Sequence, residues 1–167
     1  MKKTLKLILF LGIVSALSGL VIGYVNNITS PLIEEAQRKQ EQASLELLYP
    51  GSSFEKIGDE YVDDETILAI YEAIDQGYVF KLNGKGYSSN GITVLAGFDY
   101  EGNIYKVVSL SQQETSGFGS KVFEDLDGLY AGTKADEDID MLSGATITST
   151  AMKNMLNKAR SVLKEIR

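Results

Sequence analysis

The stretch from Asp140 to Thr150, Asp-Met-Leu-Ser-Gly-Ala-Thr-Ile-Thr-Ser-Thr, places five hydroxyl side chains around a single Gly144-Ala145 step, just before a segment with helical periodicity. Helix capping explains part of it. Thr148, Ser149 or Thr150 could accept hydrogen bonds from the first free amides of a following helix, and Ser143-Gly144 could make the turn before it. Asp140, Ser143 and Thr146 are left without a reason, since any polar turn would serve as well. The chain has no cysteine and no histidine. Disulfides, thiol catalysis, iron–sulfur ligation and a lipid-modified cysteine are excluded. With histidine go the usual zinc sites, the Ser-His triad and the commonest general base. Catalytic acid–base residues and metal ligands are therefore assigned nowhere, and any redox chemistry must come from a cofactor.

A second stretch, Gln112-Gln113-Glu114-Thr115-Ser116-Gly117-Phe118-Gly119, leaves a strand-like segment and enters a loop whose two close glycines suit tight backbone approach to a ligand. The elements that must position the two stretches can be read between and around them. Ile67 to Ile74, Tyr78 to Leu82, Ile92 to Phe98 and Ile104 to Leu110 are rich in β-branched and aromatic residues and predict an antiparallel meander. Asp75-Gln76-Gly77 and Tyr100-Glu101-Gly102-Asn103 suit hairpin turns, whereas Asn83 to Gly91 is longer and glycine-rich enough to approach a ligand. Most of Tyr61, Tyr71, Tyr78, Tyr87, Tyr100 and Tyr105 are expected on strand faces or in the core rather than against a ligand. Lys121 to Leu126 suits a short helix. Asp136-Glu137-Asp138 lacks the spacing of a calcium loop and suits a solvated turn.

From Ala151 to Arg167, Ala151, Met155, Ala159, Val162 and Ile166 recur three or four apart, with Met152, Leu156 and Leu163 widening the stripe. This predicts an amphipathic helix packed on the sheet. Its first turn follows Thr146 to Thr150, so an anion held there would meet free amides and the positive end of the helix dipole.

At the other end, Leu5 to Val25 carries no charge apart from Lys6 at its start and is about the length needed to span a bilayer. Lys2 and Lys3 precede it and Lys6 lies in its first turn, leaving 13 bases against all 23 acids in the rest of the chain, a net of −10. The lysine asymmetry puts Met1 in the cytoplasm, Tyr24 at the outer interface and the bulk of the chain outside. The alternative is a cleaved signal peptide, with Val14-Ser15-Ala16 as the cleavage site. Ser30-Pro31 has the form of a helix start, and the segment to Tyr49 suits a juxtamembrane stalk that could pack on the domain through Leu45, Leu47 and Leu48. So acidic a domain should shun nucleic acid and anionic lipid. The expected architecture is α+β: residues 1–27 as cytoplasmic start and transmembrane helix, 28–50 as stalk helix, and 51–167 as an extracytoplasmic antiparallel sheet packed by helices.

Asp140-x-x-Ser143-Gly144-Ala145-Thr146 resembles the flavinylation motif of the FMN-binding domain family, in which the final threonine carries FMN through a phosphoester that a separate flavin transferase makes from FAD. The second stretch resembles that family's Glu-Thr-Pro-Gly-Leu-Gly, matching at Glu114, Thr115, Gly117 and Gly119. It departs at Ser116 for proline, Phe118 for leucine, and Gln112 and Gln113 where histidine is usual; Gly86-Tyr87-Ser88-Ser89 stands where the family has a Gly-Tyr-Gly-Gly turn. The resemblance implies covalent FMN on Thr146. It implies support from Ser143, Gly144, Ala145, Thr148 and Asp140, and a far wall formed by Glu114, Thr115, Gly117 and Phe118.

From residue 5 onward the chain is similar to the G-type family of Rnf ion-translocating ferredoxin:NAD+ oxidoreductase components, which are related to the C-type component of the sodium-pumping NADH:quinone reductase. This implies an electron carrier in the cell membrane, partnered by the other subunits of a redox complex. A stand-alone extracytoplasmic flavoprotein and a flavin-free anchored sensor remain the alternatives.

Overall fold

The computed structural model describes residues 2–63 and 65–167, without the side chain of Lys2. Its first element, α1, runs from Lys2 to Leu48 as one helix. Ser30-Pro31 is therefore not a helix start: Pro31 lies inside α1. Proline deprives the turn before it of one amide donor, a loss that water makes good on an exposed helix. The Thr29 hydroxyl donates back to the Val25 carbonyl at 3.0 Å, so the hydroxyls at this place serve the helix interior. Within α1 lies a stretch long and apolar enough to cross a membrane by length and composition.

The chain divides into two units, residues up to Gln40 and residues from Glu41 on. The last turns of α1 thus belong to the second unit, whose centre is a five-stranded antiparallel meander in the order β1 (Phe54–Ile57), β2 (Ile67–Ala73), β3 (Gly77–Gly84), β4 (Ile92–Phe98), β5 (Ile104–Gln112). Four of the strands lie where the β-branched runs predict them. β1 has only two apolar residues in four, too weak a pattern to announce a strand; its pairing with β2, Phe54 opposite Ala73 and Ile57 opposite Ile70, creates it.

Alternation along the strands sends neighbouring side chains to opposite faces. Phe80, Val94, Ala96 and Phe98 join a large core with Met152, Met155, Leu156, Ala159 and Leu163 of α3 (Thr146–Ile166). Val79, Leu95 and Ala73 face the other way and pack on Leu45, Leu48 and Tyr49. Of the three leucines expected to dock here, Leu47 remains exposed, because helical periodicity turns it away from the face that Leu45 and Leu48 share. Glu41 fixes the same helix end, accepting hydrogen bonds from the Tyr71 hydroxyl at 2.7 Å and from Lys81 Nζ at 2.6 Å. Burial, then Glu41, raises the Tyr71 pKa and keeps it a donor. Leu48→Ala should destabilise the domain by about 2–5 kcal/mol, the cost of a buried cavity, and Leu47→Ala by less than about 0.5 kcal/mol. Thermal melting of the detergent-solubilised chain distinguishes the two.

Between β5 and α3 the chain forms a 3-10 turn at Gly119–Phe123 and a short helix α2 (Leu126–Tyr130), in place of one helix over Lys121 to Leu126. The break falls at Asp125, whose carboxylate caps α2 by accepting from the Gly128 amide at 2.8 Å. Arg160 of α3, buried, donates to the carbonyls of Thr133, Lys134 and Glu137 and so ties down the acidic loop. The acids of that loop are directed to separate partners: Asp138 to Lys153 Nζ at 2.6 Å, and Glu137 to the Lys134 amide at 2.9 Å.

Candidate functional site

α3 begins five residues earlier than the apolar stripe indicates, at Thr146 rather than Ala151. The preceding turn is closed by the Ala145 amide on the Leu142 carbonyl at 3.1 Å, with Gly144 at φ +85°, a backbone conformation that glycine adopts without strain. This corrects the capping assignment. Thr148, Ser149 and Thr150 lie within the helix, the N-cap position is held by Ala145, and no side chain caps it. Ser149 instead reaches backwards, its hydroxyl accepting from the Leu142 amide at 3.1 Å. The first intrahelical bond runs from the Ser149 amide to the Ala145 carbonyl at 2.9 Å. The amides of Thr146, Ile147 and Thr148 precede it at a helix end that attracts anions.

A cavity of about 450 Å³ opens over these amides. One side is Gly144, Ala145, Thr146, Ile147 and Thr148; the other is Thr115, Phe118 and Gly119 from the loop after β5, with Tyr87 from the β3–β4 loop. The two motifs, with 20 residues between them in sequence, therefore share one cavity. Phe118, Tyr87 and Ile147 are 65%, 68% and 56% exposed, an apolar rim suited to a flat ring system. Thr146 is exposed, and its hydroxyl has no protein partner among the described residues.

Glu114 is not in the wall; it lies one layer behind. Its Oε2 accepts from the Thr148 hydroxyl at 2.6 Å and the Tyr87 amide at 3.1 Å, and its Oε1 from the Ser88 amide at 3.1 Å. One carboxylate thus joins the β3–β4 loop, the loop after β5 and the first turn of α3. The glycines around it follow from this: a Cβ on Gly86 would come within 2.6 Å of Glu114 Oε1, and one on Gly119 within 2.6 Å of Thr148 Oγ1. The glutamine pair also serves the loop base, Gln112 Oε1 accepting from the Glu114 amide at 2.8 Å and Gln113 bonding Asn90.

The other motif residues fall outside the cavity. Gly117 has open space where a Cβ would stand and a φ of +77°, so it serves the turn, in which the Phe118 amide reaches the Thr115 carbonyl at 3.2 Å, and not close approach to a ligand. Ser143 and Asp140 are exposed and are not part of the lining. Conversely, Tyr87 lines it although its type groups it with the strand-face and core tyrosines, and Ile147 lines it although no sequence feature singles it out. The sequence signals for Tyr87 are the glycine-rich composition of the Asn83–Gly91 link and the place of Gly86-Tyr87 at the family's glycine turn.

Known proteins resemble this chain in sequence across these loops. The model of the FMN-binding domain family matches residues 86–161, from the β3–β4 loop to the last turns of α3. This segment is similar to FMN-binding domains. The chain is 25% identical over 194 residues to the G subunit of the Na(+)-translocating ferredoxin:NAD(+) oxidoreductase complex of Acetobacterium woodii, covering 99% of this chain and 94% of that one. It is 26% identical over 176 residues to the G subunit of the ion-translocating oxidoreductase complex of Methanosarcina acetivorans, covering 95% and 93%.

The cavity has donors of the kind that an FMN ligand would require. A phosphate fits the uncapped start of a 21-residue helix, where amide donors and dipole favour an anion by about 0.3–1 kcal/mol. A flavin ring fits the apolar rim of Tyr87, Phe118 and Ile147.

Proposed function

We propose that this chain is a membrane-anchored electron-carrier subunit of an Rnf-type ion-translocating ferredoxin:NAD+ oxidoreductase, with FMN attached covalently to Thr146. The observation that carries the reading is the free, exposed Thr146 hydroxyl at an uncapped helix start, on the cavity side of the family domain. Its neighbours are engaged or turned away. Thr148 donates to Glu114, Ser149 accepts from Leu142, Thr150 points toward Met141 Sδ, and Ser143 lies outside the cavity. The Thr146 oxygen forms the ester on a separate flavin transferase, displacing AMP from FAD and giving its proton to that enzyme's base. When bound, the flavin supplies one- and two-electron chemistry, passing electrons between other subunits of the complex.

The chain's own residues bind and orient. The helix start holds the phosphate, Thr115 and Phe118 flank the ring, and the ester replaces affinity by linkage at a site open to water. No acid–base residue is required of a carrier whose protons exchange with water. Peptide mass spectrometry of the chain co-expressed with a flavin transferase decides the attachment: FMN on the peptide containing Thr146 is expected. FMN on Thr148 or Ser143 would move the assignment, and a folded, unmodified chain would leave a flavin-free sensor.

Leu5–Val25 crosses the membrane, with Lys2, Lys3 and Lys6 on the cytoplasmic side and the flavin domain outside. Protease added to intact cells should degrade the domain and leave the N-terminus; full protection of the domain would reverse the topology.

A further inference from the structure

Glu114 is 8% exposed, and no ion pair among the described residues includes it. Its three partners, two amides and a hydroxyl, are all donors, an arrangement that fits the ionised carboxylate, which only accepts. A buried charge without a counter-charge is costly to retain. Dipoles alone offset this one, at a place where two cavity-lining residues, Thr148 and Gly119, stand directly against it.

We propose that Glu114 sets the reduction potential of the flavin in this cavity, acting as a fixed negative charge one side chain behind the wall. The inference rests on the reading of the cavity as a flavin site. Each electron added to the ring brings negative charge toward Glu114 until a proton from water follows it, so the carboxylate disfavours the reduced form and holds the potential low. The Thr148 hydroxyl, the closest of its donors at 2.6 Å, moderates this charge and so acts in the opposite sense. The latch geometry and the charge are separable, because a glutamine oxygen in the place of Oε2 keeps the Thr148 and Tyr87 donors and removes the charge.

The test is a spectroelectrochemical titration of flavinylated wild-type chain, Glu114→Gln and Thr148→Val, with the flavin absorption bands recorded alongside. Glu114→Gln should favour the reduced form at least tenfold, a positive shift of about 30 mV for two electrons. Thr148→Val, which leaves the carboxylate less neutralised, should shift the potential negative. Band positions should stay as in the wild type in both. A latch without an electrostatic role would move the potential only when it also moves the bands, with no fixed sign. An unchanged potential in folded, flavinylated Glu114→Gln overturns the proposal. Where that variant fails to fold or to load, a zero or positive shift in Thr148→Val overturns it. A wild-type chain that carries no flavin sinks the functional reading itself; failure of the variants in a flavinylated wild type sinks this inference alone.

Discussion

Thr146→Ala should remove all covalent FMN from the chain while leaving the fold intact. The two halves of this expectation have separate causes. The hydroxyl is exposed and makes no hydrogen bond to the protein among the described residues, so its loss should cost well under about 1 kcal/mol, less than removal of a true capping side chain. Alanine is also a good residue for a first helical turn. Thr148 cannot stand in, because its hydroxyl is buried and held by Glu114 at 2.6 Å. Intact mass should therefore fall by the whole flavin adduct with the melting temperature almost unchanged. Retention of flavin in this variant, on any residue, would refute the attachment site. Thr146→Ser, which keeps an exposed hydroxyl at the same place, should retain flavin.

The second large effect is expected at Gly119. An alanine there drives its Cβ into the Glu114 carboxylate and the Thr148 hydroxyl, and neither can retreat without breaking the latch. Overpacking of this kind costs about 1–3 kcal/mol, and it falls on the contacts that hold three cavity segments together. Gly119→Ala should thus shift the flavin absorption bands as well as lower stability. Gly117→Ala provides the contrast. Its Cβ meets nothing, but a φ of +77° strains an L-residue by about 1–2 kcal/mol. The stability losses should be comparable, whereas only Gly119→Ala should change the spectrum. Equal spectral change in both variants would show that the turn at Gly117, and not the latch, orients the ring.

The chemistry-bearing residues were legible in the chain to different depths. The absence of cysteine and histidine left only a cofactor to do redox work. β-branched runs located four strands, and the apolar Leu5–Val25 segment, charged only at Lys6, marked a helix of membrane length. These follow from composition and short-range periodicity, which act within a single element. The hydroxyl-rich motif likewise singled out Thr146 and its resemblance to a flavin-carrying family.

Other features depended on contacts between elements. β1 forms only by pairing with β2, and α1 continues through Pro31 because nothing at Ser30-Pro31 offers the backbone a better arrangement than the helix. The start of α3 at Thr146 is set by the Gly144 turn and the backward reach of Ser149, which override the capping preference of Thr148 and Thr150. Motif membership also failed to separate wall from support. Glu114 and Gly119 belong to one stretch, yet one is a charge behind the cavity and the other a gap that admits it, while Tyr87 enters from another loop. Local sequence determines which residues are present and how each segment prefers to fold. Which of them share the cavity is decided in the tertiary structure, because one buried carboxylate must find all its donors at once, and those donors lie on two other segments, the β3–β4 loop and the start of α3, that only the folded sheet and helix bring to it.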